Sequence, residues 1–234
     1  MIGEKSRKRE LYGVLLWDID GTLLKKESRK RQSIHVEALG AILPPNFELE
    51  TSGLSDWDVL FRYVEYFGLP ATLVPKAFRK LDSLKPNWHE NRLEICPGIG
   101  TEFMRQVSEN WINGILTGNT SLRGRIKLQQ IGLLECFDED FMFFCKSEES
   151  RIDIARRARM QLEKFGYPAV IIGDTEIDII TARAVEFPVV SVATGSRSRS
   201  FLERFVPDLI YSNLEIKEFL FDLKNLATSL QSKK

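Results

Sequence analysis

Four short runs in this sequence are apolar at nearly every position: "GVLLW" (13–17), "WINGILT" (111–117), "AVIIG" (169–173) and "PVVSVA" (188–193). A strand with one face in water alternates polar with apolar residues. These runs do not, so each reads as a strand covered on both faces, the situation of a parallel sheet between two layers of helices. Helical patterns follow them at about 122–132, 151–165, 176–186 and 213–229. Strand and helix in this alternation predict an α/β fold, a doubly wound, Rossmann-like parallel sheet with right-handed crossovers. Functional residues of such sheets collect at the carboxyl ends of the strands, and Asp18, Thr117 and Asp174 each stand at such an end.

One segment interrupts the alternation. Between about 33 and 90 there is no buried-strand pattern, only helical stretches such as "SDWDVLFRYVEYFG" and "ATLVPKAFRKLDSL". That is too long for a plain strand-to-helix connection. The chain therefore divides into a core of 1–24 with 93–234 and an inserted helical domain, 25–92, with "KKESRKRQ" and "PNWHENRLEICPG" as its linkers. At 234 residues there is enough chain for both.

Composition narrows the classes of partner. Lys+Arg and Asp+Glu both number 33, so net charge gives no reason to expect nucleic acid or a membrane surface. No apolar stretch approaches the roughly 20 residues of a membrane span. The first ten residues hold no apolar segment of a secretory signal, and Cys96, Cys136 and Cys145 are too scattered for a disulfide framework or a zinc site. The expectation is a reduced, cytoplasmic protein, monomer or homodimer.

The sharpest chemical signal is "LLWDIDGTLL" (15–24), a buried strand ending in two aspartates one residue apart. Burying one carboxylate is costly, and two together at a strand end require a positive partner. Downstream, "LTGNT" (116–120) ends the second apolar run and "GDTEID" (173–178) ends the third. Within the latter, Thr175 and Asp178 have the spacing of a capping box for the following helix.

With "DIDGT" (18–22), "LTGNT" and "GDTEID" in this order, the sequence resembles the haloacid dehalogenase-like hydrolases, and more closely their phosphoglycolate-phosphatase-like members with a helical cap inserted after the first motif. The resemblance covers about 14–220. It implies that Asp18 is a nucleophile forming an aspartyl-phosphate and that Asp20 protonates the leaving alcohol, then deprotonates the hydrolytic water. It implies a Mg²⁺ site made by Asp18, the Asp20 carbonyl, Asp174 and Asp178, and Gly21 as the point where the chain turns away. The Thr117 hydroxyl and the backbone N–H groups of Gly118 and Asn119, lying before the next helix, would cradle phosphoryl oxygens.

Members of this group carry a lysine, commonly followed by proline, that neutralises nucleophile and phosphate. No "KP" occurs between "LTGNT" and "GDTEID". Lys146 and Arg151 are the candidates. "SRID" has the Ser-x-x-Asp spacing of a helix N-cap, which sets Arg151 in a first helical turn and favours it. In the insert, "GLSDWDVL" (53–60) resembles the stretch of a cap that closes over substrate, making Asp56 and Trp57 specificity candidates. Read from its residues alone, it is an N-cap Ser55 with Trp57 in the insert's own core. His35 and His89 stand isolated and read as packing or surface residues. The function expected is a Mg²⁺-dependent phosphatase of a small phosphorylated metabolite. A sugar phosphomutase sharing every core residue, and a non-catalytic phospho-ligand binder, are the alternatives.

Overall fold

The computed structural model describes residues 11–25, 33–42, 49–84, 93–215 and 218–231. Six strands form one all-parallel sheet: β1 (Gly13–Trp17), β2 (Trp111–Thr120), β3 (Met142–Cys145), β4 (Ala169–Gly173), β5 (Val189–Val192) and β6 (Leu209–Tyr211). Their order is β3-β2-β1-β4-β5-β6, so the chain winds one way from β1 and then the other from β4. The switch between β1 and β4 is where such sheets open a crevice at their carboxyl edge. Trp17 pairs with Ile115 of β2 and Ile172 of β4, and the Asp18 N–H donates to the Ile172 carbonyl at 2.9 Å.

Side chains alternate across β1, and both sets are apolar because both faces are covered. Val14 and Leu16 face a layer with Ile154, Ala155 and Ala158 of α6 (Arg151–Phe165) and Ile179 of α7 (Glu176–Ala184). Leu15 and Trp17 face the opposite layer, with Met104 of α4 (Thr101–Val107), Leu128 of α5 (Ser121–Gln130) and Phe219 of α9 (Phe219–Gln231). The start of α6 is set by its capping box: the Ser150 hydroxyl accepts from the Asp153 N–H at 3.3 Å, and the Asp153 carboxylate accepts from the Ser150 N–H at 3.1 Å. Gly166, at φ 71°, ends it. α8 (Arg199–Glu203) completes the core helices. No helix among the described residues is long and apolar enough to cross a membrane.

The structure moves two boundaries and adds two strands. β2 runs on through Thr120 instead of ending at Thr117, because its pairing with β3 shifts after Leu116 and resumes at Thr120 opposite Cys145. The "FMFFC" run supplies β3, and "LIY" supplies β6, so α9 begins at Phe219 and not near 213. The Tyr211 hydroxyl, donating to Asp222 at 2.6 Å, joins β6 to α9.

Between β1 and β2 lie α1 (Ile34–Leu39), α2 (Asp56–Phe67) and α3 (Val74–Leu81), packed on one another. Ser55 caps α2, accepting from the Asp58 N–H at 3.0 Å. Trp57 is buried beside Phe61 and Phe78, with ring centroids at 5.7 and 5.3 Å, so its surroundings match the packing reading. The basic run 26–31 and His89 lie outside the described residues.

These helices are tied to the sheet edge by a polar seam. Asp56, the first residue of α2, is buried, and its Oδ2 accepts from the Thr120 N–H at 2.7 Å. Its Oδ1 accepts from Arg123 of α5 and from Nε2 of His35 at 2.8 Å. Thr120 also donates its hydroxyl to Asp82, just past α3, at 2.6 Å. Burial works against the Asp56 charge, yet Arg123, His35 and the Thr120 amide outweigh it and hold the carboxyl far below its usual range. Farther round, Arg197 bridges Glu176 of α7 at 2.7 Å and Glu50 of the insert at 3.1 Å. Gly118 lets the loop before α2 lie directly on β2: a Cβ there would overlap the Leu54 carbonyl oxygen and the Ser55 Cα.

Two outcomes are expected. Gly118→Ala should cost about 1–3 kcal/mol of stability, as overpacking against backbone does; an unchanged thermal midpoint would show that the loop does not rest on the strand. Asp56 can only accept, so neutral His35 carries its proton on Nε2 and accepts from the Ser33 hydroxyl at Nδ1, 3.2 Å away. Burial is the main reason its pKa lies below the ordinary 6.5, against the opposing pull of Asp56. The unfolded chain therefore binds the proton first as pH falls, and His35 costs stability below about pH 6.5. Relative to His35→Gln, the natural protein should lose thermal stability between pH 7.5 and 5. Parallel curves for the two proteins would refute this.

Candidate active site

Asp18, directly after β1, is 6% exposed. Its Oδ1 accepts from Nη1 of Arg151 at 2.9 Å, and Nη2 of the same guanidinium binds Oδ1 of Asp178. Arg151 is the first residue of α6, where the Ser150–Asp153 capping box holds it. Asp178 is fully buried, and its Oδ2 accepts from the Thr175 N–H at 3.0 Å and the Thr175 hydroxyl at 2.7 Å. It thus caps α7, as its spacing predicts, and pairs with Arg151 as well.

Asp174 follows β4, and its Oδ1 accepts from the Thr22 hydroxyl at 3.2 Å. Carboxylate oxygens of Asp18, Asp174 and Asp178 lie within 4.8 Å of one another. The turn after the paired aspartates is built around this cluster. Gly21 has φ 91°, and a Cβ on it, or on Gly195, would overlap the Asp174 carboxylate. The Gly21 carbonyl accepts from the Thr194 hydroxyl at 2.6 Å, and its N–H donates to Leu24 at 2.6 Å.

Asp20 points to a different cation. Its Oδ2 accepts from the Asn119 amide nitrogen at 2.8 Å and from Lys127 of α5. Lys127 also donates to Asn119 Oδ1 at 2.7 Å, while the Asn119 amide nitrogen reaches the Thr117 hydroxyl at 2.9 Å. Thr117, Asn119, Lys127 and Asp20 therefore form one connected group beside the Asp18 cluster. Gly118 and Asn119 lie near the end of β2, where its pairing with β3 shifts between Leu116 and Thr120, just ahead of α5. The Asn119 N–H lies 3.4 Å from the Thr117 hydroxyl. Lys146 is not brought into the group: it stands exposed after β3, its N–H donating to Glu149 at 2.8 Å.

The electrostatics divide the carboxylates. Burial is the main force on Asp18 and outweighs Arg151; with the nearby Asp178 and Asp20 charges it raises the pKa to about 6. Asp174 is pushed well above the usual carboxylate range, first by burial and then by Asp178 and Asp18. For Asp20, burial is overcome by Lys127 and Asn119, which hold it below its ordinary value. With all four carboxylates ionised, Arg151 and Lys127 leave the group with two negative charges in excess. Uncompensated charge in so dry a place is expensive. Hard oxygen donors at close quarters, and two glycines that leave room around the Asp174 carboxylate, fit one divalent cation such as Mg²⁺.

Sequence reasoning did not single out Lys127, Arg123 or Thr120. The available signal was the pattern of α5, whose buried residues Arg123, Gly124, Lys127 and Leu128 recur at helical spacing and include two cations on the inward face.

No protein-family model matches this sequence, and no curated protein does. Solved structures do resemble it. A β-phosphoglucomutase from Clostridium difficile superposes with a TM-score of 0.63 at 15% identity, over 95% of this chain and 99% of that one. A hydrolase from Pseudomonas syringae gives 0.61 at 18% identity, over 90% and 98%. A predicted phosphoglycolate phosphatase from Haemophilus somnus gives 0.60 at 15% identity, over 91% and 98%. Similarity of this kind shows the fold alone: this chain has the architecture of these proteins and of a haloacid dehalogenase-like family hydrolase from Streptococcus pneumoniae, which superposes with a TM-score of 0.58 at 16% identity, over 92% and 98%.

Proposed function

We propose that the protein is a Mg²⁺-dependent phosphatase of small phosphomonoesters that works through an aspartyl-phosphate on Asp18. The observation that carries this reading is the convergence of Asp18, Asp174 and Asp178 on one point at the strand ends, with Asp20 held apart on its own cation. Asp18, Asp174 and Asp178, with the Asp20 carbonyl, would hold Mg²⁺, which when bound offsets the repulsion between a carboxylate nucleophile and a phosphate dianion.

The chain's own groups then divide the work. Asp18 attacks phosphorus, with Arg151 orienting its carboxylate and balancing charge in place of the usual lysine. The Thr117 hydroxyl would hold a phosphoryl oxygen. Asp20 passes a proton to the departing alcohol oxygen, then takes one from the water that opens the aspartyl-phosphate. Helices α1–α3 act as a cap that excludes bulk water while closed and selects the alcohol portion of the substrate. The likeness to a β-phosphoglucomutase supports a second reading, in which the phospho-aspartate is passed to a sugar hydroxyl instead of water.

Phosphate release from a panel of small phosphomonoesters tests the proposal. Release with Mg²⁺ that stops with EDTA and in Asp18→Asn is expected; equal release by Asp18→Asn would refute the nucleophile. Conversion of a sugar phosphate to its isomer without release would favour the mutase. Arg151→Ala should lower turnover by at least about 10²-fold, on the scale of other lost charge-stabilising donors, while Lys146→Ala stays within about twofold. The reverse result would assign the role to Lys146. Independently of activity, Mg²⁺ at about 100 times its Kd should add about 2.7 kcal/mol of stability. A shift of the same size in Asp174→Asn would remove Asp174 from the metal site.

A further inference from the structure

Lysine is among the residues least often buried, and an ammonium without a partner is costly away from water. The Lys127 side chain is only 9% exposed, yet it leaves the face of α5 that packs on the sheet and runs to the end of the β1 motif. Its contacts there are specific. Nζ donates to Oδ2 of Asp20 and to Oδ1 of Asn119, and the Asn119 amide nitrogen donates to that same Oδ2 of Asp20. Lys127, Asn119 and Asp20 thus close a three-membered ring of hydrogen bonds, and both donors to Asp20 converge on one oxygen.

This ring distinguishes the two oxygens of the Asp20 carboxylate. Oδ2 is anchored, while the side chain as a whole remains 44% exposed, so the carboxylate is held without being closed off. Two donors on one oxygen also fix the rotation of the carboxylate about its Cβ–Cγ bond, which a single donor would leave loose. From this we infer that Lys127 is a positioning residue for the proposed reaction: with Asn119 it anchors Oδ2 of Asp20 and presents Oδ1 as the oxygen that carries the proton. The inference rests on the reading of Asp20 as acid and base given above. In the first step Oδ1–H gives its proton to the ester oxygen as the P–O bond to the alcohol breaks. In the second, Oδ1 accepts a proton from water as the water oxygen bonds to phosphorus and the Asp18–phosphorus bond breaks.

The test uses two esters that differ in how much they need a proton on the leaving oxygen. Ethyl phosphate has a strongly basic leaving group and p-nitrophenyl phosphate a weakly basic one. The quantity read is kcat/KM, which reports steps up to formation of the phospho-enzyme. Lys127→Met should lower kcat/KM for ethyl phosphate by about 10²-fold or more, the scale of a lost general acid, and for p-nitrophenyl phosphate by less than tenfold. Lys127→Arg, which restores a cation to the ring, should recover most of the ethyl phosphate activity. Equal losses on both esters would mean that Lys127 only maintains the fold or the local charge, and would overturn the inference, as would no loss on either. Should Lys127→Met not fold, Lys127→Gln is judged by the same two ratios.

Asp20→Asn separates this inference from the reading beneath it. If Asp20→Asn shows the leaving-group selectivity and Lys127→Met does not, the positioning role fails while Asp20 stands. Should Asp20→Asn lose both esters equally, or the natural protein turn over neither, the acid/base reading fails and the inference falls with it.

Discussion

Arg151 is the cation on which the buried half of the site depends. Asp18 and Asp178 hold side chains that are 8% and 0% exposed, and one guanidinium meets both, Nη1 on the first and Nη2 on the second. Taking one partner out of a buried ion pair typically costs about 3–5 kcal/mol, a large share of the roughly 5–15 kcal/mol that holds a domain folded. Every layer of the fold contributes to this contact. The capping box of α6 sets where Arg151 begins, the pairing of β1 with β4 brings Asp18 level with the start of α7, and Thr175 fixes Asp178. The arginine also suits this place for a geometric reason. A planar fork satisfies two carboxylates on two sides, which a single ammonium addresses only as a point charge.

Much of this was legible in the amino-acid sequence because the signals were local and redundant. β1 and β4 match their apolar runs to the residue, and α6 matches its N-cap spacing and closing glycine. In each case propensity, burial and the terminating residue agree. Less legible was whatever depended on a partner distant in the chain. β2 continues past Thr117 only because β3 lies beside it, and β3 is too short to announce itself. His35 read as a packing residue and is buried, but its tie to Asp56 needs α1 and α2 side by side. Lys127 lay in a polar-looking helix, and its meaning appears only when α5 is laid against the end of β1.

The site and the insert meet at Thr120, one residue after the polar group formed by Thr117, Asn119 and Lys127. Its N–H goes to α2 and its hydroxyl to the end of α3. Arg123, a turn further along α5, is held by Asp56, and Lys127, a turn beyond that, by Asp20. One helix thus carries the attachment of the insert near its start and a contact to the paired aspartates in its last turn. Among the described residues, the insert is thus joined to the core through side chains as well as along the backbone.

That seam limits how the sequence can drift. Replacing Asp56 alone strands the Arg123 guanidinium, whose Nε already has no partner among the described residues, and removes the acceptor for His35. Replacing Arg123 alone leaves a dry carboxylate with less to hold it. Either half of the seam is therefore more costly to change alone than both together. Among descendants of this chain, positions 35, 56 and 123 should change as a set, so that an insert and a core borrowed from two different lineages would fit in outline and still fail to seat.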